Sequence, residues 1–231
     1  MAYTCTLKIL TTTKSMMTDL PPYSAKEELA NAFSHGLGAL LSAFGLIMLL
    51  TYSVANSAPE NELIRMVSFS IYGTSLILLF LASTFYHAIV NQPIKKLFKL
   101  LDHCAIYILI AGTYTPLLLI SLQGTLGNSL MIVIWGIALG GIIFKIKFGN
   151  KFKKTSLITY LGMGFISFAI LGELYKILPS EAIALLAIGG FVYCLGVFFY
   201  VQKKIPFNHA IWHLFVLAGA SCHFVMIYRY V

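Results

Sequence analysis

Charge is what this chain has least of. Only 10% of its 231 residues are Asp, Glu, Lys or Arg, against about 25% in ordinary soluble domains. That scarcity excludes a water-soluble enzyme, and the 59% share of hydrophobic residues excludes a disordered chain. Cysteine is sparse too: Cys5, Cys104, Cys194 and Cys222 are scattered without CxxC spacing, and three of the four lie in apolar stretches. Neither a disulfide scaffold nor a thiolate metal site follows from them. Acid is the rarer sign, 8 Asp and Glu against 16 Lys and Arg. In a chain with a mean hydropathy of +0.86 that +8 excess reports orientation in a membrane, not a nucleic-acid patch. No secretory signal is present, because no apolar run precedes a small-residue cleavage site in the first 25 or so residues. Residues 1–25 read as a mobile tail and residues 26–231 as one membrane domain. No linker is long enough for a soluble domain, and no internal repeat is visible.

What is abundant is long apolar runs. A helix crossing the hydrocarbon needs about 20 mostly apolar residues. Seven stretches qualify: roughly Ala32 to Val54, Ile64 to Val90, Leu101 to Leu122, Gly127 to Phe144, Thr155 to Tyr175, Ala182 to Val201 and Pro206 to Tyr228. The expected fold is therefore an all-α, seven-transmembrane helix bundle. Lysine bookkeeping orients it. The N-terminal segment and the loops after the second, fourth and sixth spans collect 13 of the 16 basic residues, and the other side holds only Arg65, Lys176 and Arg229. Basic loops stay cytoplasmic, which puts the N-terminus inside and the C-terminus outside. That is the reverse of a rhodopsin-like receptor. A multi-pass protein of the cytoplasmic (inner) membrane is expected.

Ionisable residues within spans cost roughly 2.5–3.5 kcal/mol each near the centre, so each is a functional candidate. Two acids, Asp102 and Glu173, fall within or beside the apolar stretches, together with His35, His87, His103, His209, His213 and His223. On the topology above, His35, His87, Asp102, His103, His209 and His213 all gather at cytoplasmic helix ends. His209-Ala-Ile-Trp-His213 is an i, i+4 pair, which sends both imidazoles from one helix face and suits two ligands on one metal. Ser83-Thr-Phe-Tyr-His87 puts a hydroxyl and an imidazole on one face in the same way. A third imidazole from the second span would complete a three-histidine set with one position open for water, the pattern of a catalytic zinc site. Asp102 would hold that water as general base or orienting acceptor, since zinc brings a bound water's pKa to about 7.

Plainer readings stand beside these. Intramembrane histidines also serve as interhelical hydrogen-bond partners. A serine on a span also bonds its own i−4 carbonyl. Asp102 also suits an interfacial ion pair with the Lys95, Lys96 and Lys99 cluster. His35 and His103 stay open between supporting the site and capping helices. His223 lies ten residues beyond His213, about 15 Å along a helix, too deep to join. Glu173 reads as one half of a solvated pair with Lys176.

Glu28-Leu-Ala-Asn-Ala-Phe-Ser-His35-Gly-Leu-Gly, Ser83-Thr-Phe-Tyr-His87, Leu101-Asp102-His-Cys-Ala-Ile-Tyr-Ile-Leu-Ile-Ala-Gly-Thr-Tyr-Thr-Pro116 and His209-Ala-Ile-Trp-His213 followed by His223-Phe resemble, in this order, the hemolysin III family. That family is the bacterial branch of the progestin and adipoQ receptor superfamily. The resemblance covers about residues 25–230. It implies a seven-helix fold and a zinc ion (Zn2+) near the cytoplasmic surface, held by His87, His209 and His213. It also implies that Asp102 hydrogen-bonds the zinc-bound water and that Ser83 fills the serine position of the motif. The long cytoplasmic region of the receptor members has no counterpart here, so hormone-receptor signalling is not implied.

Three functions compete. One is a zinc-dependent hydrolase of lipid amides or esters, with Asp102 and Ser83 as catalytic residues and membrane lipids as partners and substrate. A second is a non-enzymatic membrane-homeostasis or stress factor with structural zinc. The third, carried by the family name, is a membrane-perturbing hemolysin or channel. Against a wide pore, the spans lack a stripe of charged residues. The absence of a mid-span lysine in the last helix, which a Schiff base would need, argues against a retinal protein. Substrate and oligomeric state are not legible.

Overall fold

The computed structural model describes residues 23–149 and 151–231. The expected tail at 1–25 falls almost wholly outside the described residues. The chain forms α1 (Ala25–Asn56), α2 (Pro59–Ala88), α3 (Gln92–Pro116), α4 (Gly124–Phe148), α5 (Lys153–Ala169), α6 (Leu171–Ile177), α7 (Ser180–Val201) and α8 (Asn208–Tyr230). No strand occurs among the described residues. Six helices are long and apolar enough to cross a membrane, and α5 with α6 makes a seventh when the bent pair is one span. The all-α membrane bundle expected from the apolar runs is what forms.

The first helix begins seven residues earlier than its apolar run. Ser24 caps it: the Ser24 hydroxyl accepts from the Glu27 backbone N–H at 3.3 Å, and the Glu27 carboxylate accepts from the Ser24 backbone N–H at 2.8 Å. This reciprocal box satisfies two otherwise orphaned donors. It also winds Glu28 into α1 as an acid beside the membrane span, one more than the two the apolar runs disclose. α3 likewise starts early, at Gln92, because the Asn91 side chain accepts from the Ile94 N–H and Pro93 occupies the first turn.

Polarity in α1 is inside out. Its buried positions include Asn31, His35, Gly38, Ser42, Gly45 and Ser53, whereas Phe33, Leu40, Phe44 and Ile47 are exposed. Lipid tails are as apolar as leucine, so burial in a bundle is driven by close packing and hydrogen bonds and favours small and polar residues. Gly73 of α2 shows the closeness: a Cβ there would lie 2.6 Å from the Leu46 side chain of α1.

The helical path does not stop at Pro116, the last residue of α3. After Pro116 the backbone widens into a π-turn over Leu117–Ser121, as expected where a proline removes an N–H and crowds the preceding turn. The fifth span is broken at Ile170, with α5 and α6 inclined at 53°. The cause is Tyr114 of α3. Its hydroxyl accepts from the Ser167 N–H at 2.8 Å and lies 3.0 Å and 2.9 Å from the Met163 and Gly164 carbonyls. A side chain inserted into the i to i−4 ladder is a standard source of a sharp bend.

In space, α1 packs against both α2 and α8, α2 against α3, α3 against α4, and α7 against α8. α1 thus stands between the second and last spans. Its N-terminal turn is tied to the start of α8, where the Phe207 N–H donates to the Glu27 carboxylate at 3.2 Å. Phe207 holds the left-handed conformation there, φ 55°, uncommon for a bulky residue.

Candidate metal centre

The last turn of α2 and the first turns of α8 meet against α1. His87, His209 and His213 each offer one ring nitrogen there, and these three nitrogens lie within 4.8 Å of one another. The ring centroids are 5.1 Å apart for His87–His209, 5.1 Å for His87–His213 and 4.5 Å for His209–His213. Two nitrogens bound to one tetrahedral zinc stand roughly 3.4 Å apart, so small ring rotations separate this arrangement from a closed site. The i, i+4 spacing of His209 and His213 and the contribution of His87 are therefore realised together.

Hydrogen bonding assigns the nitrogens. His87 Nδ1 is 2.6 Å from Glu28 Oε2. His213 Nδ1 is 3.1 Å from the Asn31 carbonyl and 3.2 Å from Ser34 Oγ. A carboxylate and a carbonyl only accept, so both Nδ1 atoms donate, and the Nε2 lone pair of each neutral ring is left for a ligand. His87 Nε2 and His209 Nδ1 are buried with no hydrogen-bond partner. Orphaned buried nitrogens are costly. Nitrogens that converge in this way fit a divalent cation, because one ion would satisfy them together.

The remaining candidates divide. Ser83 is buried one turn before His87 on the same face, and its hydroxyl has no partner. It therefore does not make the i−4 bond that its neighbour Thr84 makes to the Phe80 carbonyl at 2.7 Å. Asp102 is not one of the three converging residues. Its carboxylate contacts His103 Nδ1 at 3.4 Å and lies within electrostatic reach of His213 and His87. Of the three lysines expected to neighbour it, Lys95 is salt-bridged to Glu28 at 2.9 Å.

Neither undecided histidine is a cap. The His35 ring stacks on His213 with centroids 3.5 Å apart and planes at 11°, and neither of its nitrogens has a partner. His103 turns back on its own helix to the Lys99 carbonyl at 2.7 Å. His223 bonds the Leu186 carbonyl of α7 at 3.2 Å, an interhelical role outside the site. Glu173 and Lys176 form the expected exposed pair at 2.7 Å.

Three contributors escaped the reading of the sequence. Glu28 stands there only as the first residue of a motif, Lys95 only as a loop lysine and candidate partner of Asp102, and Tyr23 precedes the first helix altogether. Tyr23 covers the cluster, its ring stacked on His209 with centroids 5.1 Å apart and planes at 24°. Burial beside Tyr200, Glu28 and Glu27 pushes its phenol well above the usual range, so it is protonated at neutral pH. A signal for Glu28 did exist: Glu28, Asn31 and His35 follow i, i+3, i+7 spacing, which is one helix face.

Comparison with known proteins follows the same residues. The profile of the family described as Haemolysin-III related matches residues 23–224. Hemolysin-3 of Bacillus cereus is 47% identical over 206 residues, covering 89% of this chain and 92% of that protein. The hemolysin-3 homolog of Bacillus subtilis (strain 168) is 45% identical over 208 residues, covering 90% and 96%. The human monocyte to macrophage differentiation factor is 31% identical over 210 residues, covering 88% of this chain and 84% of that protein.

Proposed function

The chain belongs to the haemolysin-III-related family of multi-pass membrane proteins, and from that premise we propose that it is a zinc-dependent hydrolase of lipid amides or esters. On this reading it sits in the cytoplasmic membrane, with its metal centre at the inner face. The observation that carries the proposal is the pair of imidazoles whose Nδ1 atoms are tied to acceptors on α1, in a cluster where His87, His209 and His213 each bring one ring nitrogen within 4.8 Å of the others. Histidine-rich, carboxylate-backed sites suit zinc among the divalent metals. His87, His209 and His213 would hold the ion, leaving a fourth position open. Bound zinc supplies Lewis acidity and a water that ionises near neutral pH.

The chain's own groups then have defined tasks. Asp102 accepts a hydrogen bond from the attacking water and orients it toward the carbonyl. Ser83, whose hydroxyl is free of the helix ladder, donates to the carbonyl oxygen as negative charge develops on it. Water adds to the carbonyl carbon, the C–N or C–O bond breaks, and the products are a fatty acid and an amine or alcohol. Tyr23 stacks on His209; on the proposed orientation it would shield the rings from the aqueous side, which favours a substrate arriving from the bilayer.

A second reading keeps the metal and drops the turnover. The cation would cross-link α2 to α8 in a membrane-homeostasis or stress protein, and the burial of His87 and His213 favours that role. The hemolysin reading rests on the name of the relatives.

Metal analysis of the purified protein beside His87→Ala and His209→Ala is the first test. One zinc per chain, lost in both variants, is expected; unchanged metal content would remove the site. Lipid products are then compared between the wild type and His213→Ala. Hydrolysis seen only in the wild type supports the enzyme. Identical profiles, with a lower melting temperature on metal removal, would leave the structural reading.

A further inference from the structure

We propose that Glu28 is a positioning residue for the metal centre, setting the tautomer of His87, and that Lys95 holds Glu28 in place to do so. This deepens the metal-site reading above and rests on it. The two Glu28 oxygens are each engaged by one donor, Oε2 by His87 Nδ1 at 2.6 Å and Oε1 by Lys95 Nζ at 2.9 Å. Lys95 Nζ is in turn held by the Ile89 carbonyl at 3.3 Å and the His87 carbonyl at 3.5 Å. The relay therefore starts and ends at the C-terminus of α2 and passes through α1 and α3. Its members are enclosed: the side chains of His87, Glu28 and Lys95 are 0%, 20% and 9% exposed. Charge-assisted bonds are short and strong in such surroundings, and an ammonium or carboxylate left there alone is heavily penalised.

Asn31 makes the carboxylate decisive. Its Nδ2, a donor, lies 3.4 Å from the same His87 Nδ1. The two neighbours demand opposite tautomers: the carboxylate requires a proton on Nδ1, whereas the amide would donate to a bare Nδ1 and leave the proton on Nε2. With Glu28 at the shorter distance and charged, Nδ1 carries the proton and Nε2 presents its lone pair to the cluster. Without Glu28, Asn31 is the remaining side-chain partner. His87 then places an N–H, which cannot ligate, where its donor nitrogen belongs.

The test compares wild type, Glu28→Ala, Glu28→Gln and Lys95→Met in detergent micelles, using histidine 15N NMR of the metal-free protein and zinc affinity by chelator competition. The expected result is Nδ1–H for His87 in the wild type and Nε2–H in Glu28→Ala. Zinc binding should weaken about 10–100-fold in Glu28→Ala. Glu28→Gln, whose amide oxygen still accepts, falls between, and Lys95→Met also loses affinity. A wild-type-like tautomer and affinity in Glu28→Ala, with only the melting temperature lowered, would overturn the proposal in favour of a merely structural salt bridge. If the wild type binds no zinc, the metal reading fails, and the metal-free NMR comparison still decides whether Glu28 sets the tautomer.

Discussion

Ser83 and Thr84 are neighbours on α2 with opposite habits. Thr84 spends its hydroxyl on the Phe80 carbonyl, and Ser83 keeps its own unpaired beside the histidines. Burying a hydroxyl without a partner costs about 1–3 kcal/mol, an expense that a role in charge stabilisation would explain. Ser83→Ala is accordingly expected to keep its zinc while the turnover of a lipid amide or ester falls about 10²-fold, as when one oxyanion donor is removed. Paired metal analysis and rate measurement check this. Equal rates would take Ser83 out of the chemistry.

The helices show how a side chain on one element shapes another. α5 and α6 together have the length and apolarity of a single span, yet they bend by 53° because the Tyr114 hydroxyl of α3 enters their hydrogen-bond ladder. Tyr114→Phe removes one donor and one acceptor from this buried junction. Stability should fall by about 1–3 kcal/mol, read as a lower melting temperature in micelles. Spin labels on either side of Ile170 should move apart as the bend relaxes, and an unchanged separation would place the cause of the bend elsewhere. α1 has the converse role. Its N-terminal turns carry Glu28, Asn31 and Ser34, which engage the outer nitrogens of His87 and His213. A helix that supplies none of the three clustered histidines therefore orients two of them.

For the molecule as a whole, the sorting of lysines predicts one insertion geometry. A reporter that is active only in the cytoplasm should work when fused to the N-terminus and fail at the C-terminus, with the reverse for a reporter active only outside. The opposite pattern would put the histidine cluster on the outer face and remove the cytoplasmic setting of the proposed reaction. An odd number of spans, obtained when α5 and α6 count as one, would place the two termini on opposite sides.

Apolar run lengths and scarce charge were enough to announce a helical membrane bundle, because in hydrocarbon each helix must satisfy its own backbone and each charge must justify its cost. The spacing of Ser83 to His87 and of His209 to His213 was legible for a similar local reason, the 3.6-residue turn. Glu28 was hidden because a capping box, which hydropathy does not register, carried α1 beyond its apolar stretch. The stacking of His35 on His213, the seating of Lys95 on Glu28 and the breaking of the fifth span by Tyr114 each join residues far apart in the chain. Such contacts depend on which helices become neighbours, and only the placement of α1 between α2 and α8, and of α3 against α5, brings the partners within reach.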